Sequence, residues 1–115
     1  MNHSLQPFLD NHLPIEGVAA WGARLPGSVA TSHCYNDWLS TSQVEQALDS
    51  LVTAAKGLNS HGIQPLQLCS VFEHLRIYLS LREDGACLAL FVENRPAKAT
   101  DALNRTLEEF RVATF

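Results

Sequence analysis

The sequence predicts a single α+β domain whose strands are joined by tight hairpins and whose helices sit at the two ends and in the middle. Three observations carry this. Two stretches, Leu25-Pro26-Gly27-Ser28 and Asp84-Gly85, carry turn chemistry between apolar runs. One long stretch, Ser42 to Leu58, has helical periodicity. The segments around the turns alternate or run apolar with the period of strands. At 115 residues the chain fits one domain, residues 1–115, able to bury an ordinary core without staples.

The elements follow in order. Ser4 to His12 reads as a short helix, with Ser4 as cap and Leu5, Phe8 and Leu9 as its apolar stripe. Ile15 to Leu25 reads as a strand. Its two alternating sets, Val18, Ala20, Gly22 and Ala19, Trp21, Ala23, Leu25, are both apolar, so it is expected at the sheet centre, covered on both sides. Its side chains are mostly small, which lets helices approach closely. A type II turn at Pro26-Gly27 returns the chain along Ser28 to Cys34. Ser42-Gln43-Val44-Glu45 reads as a capping box that opens the long helix. Val44, Leu48, Leu51, Ala55 and Leu58 form its apolar face, and Gly57 or Gly62 ends it.

Leu66 to Phe72 and Leu75 to Arg82 read as the next two strands. Asp84-Gly85 predicts a two-residue type I′ hairpin into the last strand, pairing Leu81 with Leu88, Leu79 with Leu90, and Ile77 with Val92. Pro96 is expected to stop that strand. Thr100 is expected to cap a final helix that turns Leu103, Leu107 and Phe110 inward.

Composition narrows the function. Net charge is −4 and no Lys/Arg cluster is present, which argues against nucleic-acid partners. No apolar run reaches the ~20 residues of a membrane helix, and no signal-peptide pattern opens the chain. Three widely spaced cysteines without a CxxC predict reduced thiols in a cytoplasmic protein. The five histidines show no metal-ligand spacing, and no glycine pattern matches a phosphate loop, so neither metal nor cofactor is expected. The stretch Ser32-His33-Cys34-Tyr35-Asn36-Asp37-Trp38 superficially suggests a nucleophile beside its base. Neighbouring strand residues point to opposite faces, so His33 and Cys34 cannot converge, and no catalytic residue is assigned. His33, Tyr35 and Trp38 are instead the candidate partner surface.

Two features point to self-association. Ala47, Ser50, Ala54 and Gly57 form a stripe of small residues beside Leu51 on the long helix, where a second helix could approach closely. The strand containing Leu66, Leu68 and Ser70 carries no Lys, Pro or charge until Glu73, and such an edge invites pairing.

The anchors "IEGVAAWGARLPGSVATS", "STSQVEQALDSLVTAAKGL" and "LRIYLSLREDGACLALFVE", in this order and at this length, resemble the Roadblock family of dynein light-chain type and its bacterial relatives. Gly17-Val18 match the Gly-Val that opens the family's first strand. Pro26-Gly27 stand where the family often has Asp-Gly, which keeps the turn. The resemblance implies a five-stranded antiparallel sheet, the long helix on one face and the terminal helices on the other. It implies a dimer in which two long helices pair and two third strands join edges. It also implies a non-enzymatic partner of small Ras-like GTPases, or an adaptor in motor or signalling complexes. Longin, profilin-like and type III secretion chaperone folds share a similar string of elements. A cytosolic secretion-chaperone dimer and a small-ligand sensor are therefore the competing functions. Such chaperones place three strands before the middle helix, and only two strand-like runs precede Ser42 here.

Overall fold

A computed structural model describes residues 5–94 and 100–113, the side chain of Thr100 excepted. Its elements are α1 (Leu5–His12), β1 (Val18–Arg24), β2 (Thr31–Cys34), α2 (Thr41–Asn59), β3 (Gln67–Val71), β4 (Leu75–Leu81), β5 (Cys87–Glu93) and α3 (Thr100–Val112). All five strands form one antiparallel sheet in the order β2-β1-β5-β4-β3. The expected α+β architecture is thus present, with the predicted order of elements. The expected capping side chains of Ser4 and Thr100 and the expected stop at Pro96 lie outside the described residues.

β1 and β5 pair at the centre because both are apolar on both faces. One face carries Trp21, Ala23, Leu88, Leu90 and Val92 beneath α1 and α3, which contribute Leu5, Leu9, Leu103, Leu107 and Phe110. The other carries Ala20, Ile77, Leu79, Ala89 and Phe91 beneath Val44 and Leu48 of α2. The long helix thus covers one face and the terminal helices the other. A bulge at Ala19 shifts the register between Val18 and Ala20, so Val18 joins Trp21 on the α1/α3 face. The Ala19 carbonyl accepts the Tyr35 N–H at 2.8 Å, which ties the end of β2 to the bulge.

Small residues let α2 sit close to β1. A Cβ placed on Gly22 would lie 3.0 Å from Val44 Cγ1. Two side chains then fix the helix laterally: Ser32 donates to Glu45 at 2.8 Å, and Arg24 pairs with Asp49. On the opposite face, Ser80 donates to the Leu107 carbonyl at 3.2 Å, and Arg82 donates to the Phe110 and Ala113 carbonyls. These bonds dock α3 on β4 and satisfy carbonyls that a helix end leaves open.

Two local expectations are corrected. The long helix starts one residue before Ser42, and its cap is Ser40. The Ser40 hydroxyl accepts from Gln43 N–H at 3.1 Å, and Gln43 Oε1 accepts the Ser40 N–H at 2.9 Å. This earlier box frees Glu45, expected as the reaching carboxylate, for Ser32. The helix ends past Gly57, with Ile63 N–H bonded to the Leu58 carbonyl around Gly62.

The second correction concerns the β4–β5 hairpin. Ile77 pairs with Phe91, Leu79 with Ala89 and Leu81 with Cys87, one residue from the expected register. A type I′ turn needs positive φ at both central residues, and among the described residues only glycines have it. Asp84 instead accepts from Ala86 N–H at 2.9 Å and from the Arg82 guanidinium. Gly85, at φ 95°, completes a three-residue loop closed by Arg82 N–H to the Ala86 carbonyl at 3.0 Å. The slip costs no burial, because every residue from Cys87 to Val92 is enclosed.

Gly22→Ala is expected to destabilise the domain by about 1–3 kcal/mol through overpacking against Val44. Val44→Ala in the same chain should recover part of that loss. Urea unfolding of the two single variants and the double variant checks the coupling. An unaltered midpoint for Gly22→Ala would contradict the close approach.

Hydrogen bonds from Arg82 and from Ala86 N–H hold the Asp84 carboxyl below its ordinary range. A carboxyl depressed in the folded state stabilises above its unfolded pKa and loses that effect as pH falls through the folded value. The gap in unfolding midpoint between the parent and Asp84→Asn should therefore be open at neutral pH and close in acid. A gap that stays constant across this range would remove Asp84 from the hairpin's energetics.

Candidate interaction surface

The sheet is wider than the helix that covers its second face. Four interstrand spacings span about 19 Å, whereas one helix with its side chains is about 10–12 Å across. α2 makes its main sheet contacts with β1 and β2. The contacts through Glu45 and Asp49 hold one flank there. The other flank, from Ala47 through Leu51 to Ala54, borders the half of the face formed by β4 and β3.

On that half, Leu68, Leu75 and Leu81 pack against the core but stay half-exposed, as do Ala47 and Leu51. A cleft of about 520 Å³ opens between α2 and the β3–β4 turn, lined by Trp38, Leu39, Ala47, Phe72, Leu75 and Phe91. Trp38 and Phe72 each expose about half their surface. The predicted positions divide accordingly. Ala47 and Leu51 lie half-buried at the rim, while Ser50, Ala54 and Gly57 are exposed on α2. Leu68 and Ser70 point to the same face from β3, in register with Leu79 and Ile77. Leu66 is exposed just before β3.

β3 is the outer strand of the sheet. Leu66 accepts from Leu81 N–H at 2.9 Å, and Phe72 N–H donates to Leu75 at 2.8 Å. Antiparallel alternation therefore turns the even-numbered amides toward β4 and those of Gln67, Cys69 and Val71 outward. No charge, proline or bulge protects this edge. β2, at the other edge, is only four residues long.

The three residues read as one partner surface are split between the faces. Trp38 lies at the α2 cleft. His33 and Tyr35 stack edge-to-face, centroids 4.8 Å apart, and line a separate groove of about 430 Å³ with Gln6, Leu9 and Trp21. The strand alternation foreseen for His33 and Cys34 separates them. His33 pairs opposite Trp21 on the α1 side, and Cys34 packs into the α2-side core. Burial raises the Cys34 thiol pKa, which opposes thiolate formation. Burial raises Cys87 further inside the sheet, against the lowering effect of Arg24. Among the described residues, no group of three or more His, Cys, Asp or Glu side chains could hold a metal ion. No described helix is long and apolar enough to cross a membrane. Phe72, Leu75 and Leu39 were not singled out by sequence reasoning. The signal was available in Phe72, a large apolar residue at the end of an unprotected edge.

Cys34→Ser is expected to fold, with a loss of about 1 kcal/mol for a hydroxyl placed in a half-buried apolar site. In the parent, alkylation followed by mass spectrometry should modify Cys34 before Cys87, and Cys87 only when the chain unfolds. Rapid modification of Cys87 in the native protein would contradict its place in the sheet.

No protein-family model matches the sequence, and no curated protein matches it. Solved structures do match in shape. Myxococcus xanthus MglB superposes with a TM-score of 0.62 at 11% identity, over 82% of this chain and 74% of that one. A Roadblock/LC7 domain from Streptomyces avermitilis gives 0.61 at 11% identity, over 90% of this chain and 92% of that one. At this similarity in shape the chain has the Roadblock/LC7 fold.

Proposed function

We propose that residues 1–115 act as one non-enzymatic, dimeric Roadblock-like module that binds or regulates a small Ras-like GTPase, or scaffolds a signalling or motility complex, in the cytoplasm. The observation that carries the reading is the half-covered α2 face beside an unprotected strand edge. A second copy, rotated about a two-fold axis, would lay its α2 along Ala47, Leu51 and Ala54 and extend the sheet from β3. Both vacancies are then filled by one isologous contact, because a two-fold interface repeats each complementary element. The GTPase partnership rests on the family resemblance and on the absence from the sequence of a phosphate loop, which leaves nucleotide chemistry to the partner. The His33–Tyr35 groove, on the α1 side of the sheet, stays outside such a contact as a place for that partner, while Trp38 lies at the cleft beside Ala47.

The test of assembly is Ala54→Arg. Ala54 is exposed on α2, so the variant should fold. In the dimer the arginine brings overpacking of about 1–3 kcal/mol per site and meets its symmetry mate's like charge. Sedimentation at low micromolar concentration should show a dimeric parent, a monomeric Ala54→Arg and a dimeric Arg105→Ala, changed on the exposed side of α3. A monomeric parent, or a fully dimeric Ala54→Arg, would remove the helix pairing. Affinity isolation from the source cell in the presence of GTP or GDP tests the partner, and recovery of no nucleotide-dependent GTPase would leave the scaffold reading alone.

A further inference from the structure

We propose that the groove between α1 and β2 takes the guanidinium of an arginine carried on an extended segment of a partner protein. The inference rests on the reading of the His33–Tyr35 groove as a partner's place and names what it holds there. It does not depend on the dimer.

The groove is built from acceptors and ring faces. Trp21 lies at its base, and His33 and Tyr35 line its β2 side, their ring centroids 4.8 Å apart. Gln6, Leu9 and Asp10 of α1 form the facing side. Gln6 Nε2 donates to Asp10 Oδ1 at 2.9 Å, which leaves Gln6 Oε1 as an acceptor. The Trp21 indole N–H is directed at the Tyr35 hydroxyl. Two of the groove's neutral donors are thus already aimed at acceptors inside it. A ligand meets the remaining lone pairs of Asp10, the Gln6 oxygen and aromatic surface.

Charge selects among ligands. Asp10 is the one carboxylate that lines the groove, and no Lys or Arg lines it. Asp10 is exposed, and the ion pairs among the described residues all lie elsewhere. Its field reaches the rings. Burial raises the Tyr35 hydroxyl above its ordinary range, the Trp21 N–H opposes the rise, and the Asp10 charge adds to it. An anion would meet Asp10 with no cation to offset it. A guanidinium suits both halves of the groove. It gives five N–H donors in a flat fork to carboxylate and amide oxygens, and its weakly hydrated faces stack on aromatic rings. An ammonium neutralises Asp10 but is compact, strongly hydrated and without a flat face.

The surroundings fit a protein segment better than a free small molecule. Thr31 and His33 are exposed and Tyr35 is 37% exposed, so the groove is open along β2, whereas a small-molecule site encloses most of its ligand. Gln6 and Thr31 also line a neighbouring depression of about 90 Å³ with Leu5, Leu25 and Val29. Val29, 84% exposed, therefore continues the strip formed by Thr31, His33 and Tyr35. β2 is an edge of the sheet. The Tyr35 N–H bonds to Ala19 of β1, so alternation turns the amides of Ser32 and Cys34 outward. An antiparallel segment laid along β2 gains backbone hydrogen bonds there, and its alternate side chains fall on the strip. An arginine opposite His33 then lies on the groove side.

The probes are acetylated, amidated heptapeptides of serine, threonine and valine with arginine, lysine or citrulline at the centre, and N-acetylarginine amide, which has no strand. Citrulline is the uncharged isostere of arginine. Titrations are followed by proton–nitrogen correlation NMR, with the Trp21 and Trp38 indole signals distinguished by the spectrum of Trp38→Phe. The arginine peptide should shift the Trp21 indole signal saturably and leave that of Trp38 in place. The citrulline peptide should bind about tenfold more weakly, because it lacks charge-assisted hydrogen bonds, and the lysine peptide should fall between them. Asp10→Asn, changed at an exposed position of α1, should fold and lose about tenfold toward the arginine peptide alone. Equal binding of the arginine and citrulline peptides, or of the arginine and lysine peptides, overturns the guanidinium assignment, as does an undiminished Asp10→Asn. N-acetylarginine amide binding as tightly as the peptide overturns the extended segment as its source. Shifts confined to Trp38, or none with any probe, overturn the proposal entirely. Such a failure leaves the GTPase and scaffold readings standing, because nucleotide-dependent isolation decides those without these probes.

Discussion

A sheet of five strands is about twice as wide as one helix, and this mismatch organises the molecule. Two helices, α1 and α3, close one face of the sheet. On the other face α2 is alone, and it lies over β1 and β2. The side it takes is decided by contacts at the sheet, where Gly22 makes room for Val44, Ser32 meets Glu45, and Arg24 meets Asp49. Those contacts commit α2 to one half and so define the other half as unfinished. The half-exposed leucines at positions 68, 75 and 81 are the direct result: hydrophobic enough to form core, with no local element to enclose them. An incomplete core and a bare edge on the same side of a small domain are two expressions of one shortage of covering structure.

Much of the architecture was legible because its signals are local. Pro26-Gly27 and the amphipathic run of α2 each specify their element without help from the rest of the chain. The β4–β5 register was not legible, because its normal arbiter is missing. Register is read from which face of a strand is apolar, and β5 is buried on both faces, so a one-residue slip exchanges Leu88, Leu90 and Val92 for Cys87, Ala89 and Phe91 without exposing anything. What decided it was Asp84, whose carboxylate is engaged by Arg82 and the Ala86 N–H and whose φ stays negative. The same limit applies to Ser40 and Ser42, two overlapping capping patterns that only the demand of Ser32 for Glu45 separates. In the candidate surface, Ala47, Leu51 and Leu68 could be placed beside the open half-face from helical and strand periods alone. The division of Trp38 from His33 and Tyr35 could not, because it depends on where the chain leaves the end of β2.

Sharing a fold at 11% identity follows from what the packing requires. The centre needs small residues where α2 crosses β1, large aliphatics on β5, and polar groups such as Ser80 and Arg82 that can reach the backbone of α3. These are demands on volume and hydrogen bonding, and many residue combinations meet them. Shape is therefore retained where letter-by-letter similarity has faded, and the outer surfaces are free to carry different partners.

The pairing of β1 with β5 also has a bearing on how the chain reaches its structure. The first strand and the last are neighbours at the middle of the sheet, with everything from residue 25 to 86 lying between them in sequence. β1–β2 and β3–β4 are local hairpins that can form early, yet each lacks its inner neighbour until β5 arrives. Closing so long a loop is slow compared with making local contacts. On a ribosome, the chain up to Leu81 would present two separate ribbons, each with an exposed inner edge and apolar faces. β5 joins them in a single event, so folding of the sheet is tied to the emergence of its most hydrophobic strand, and the vulnerable interval for misassociation is the time between completion of β4 and delivery of β5.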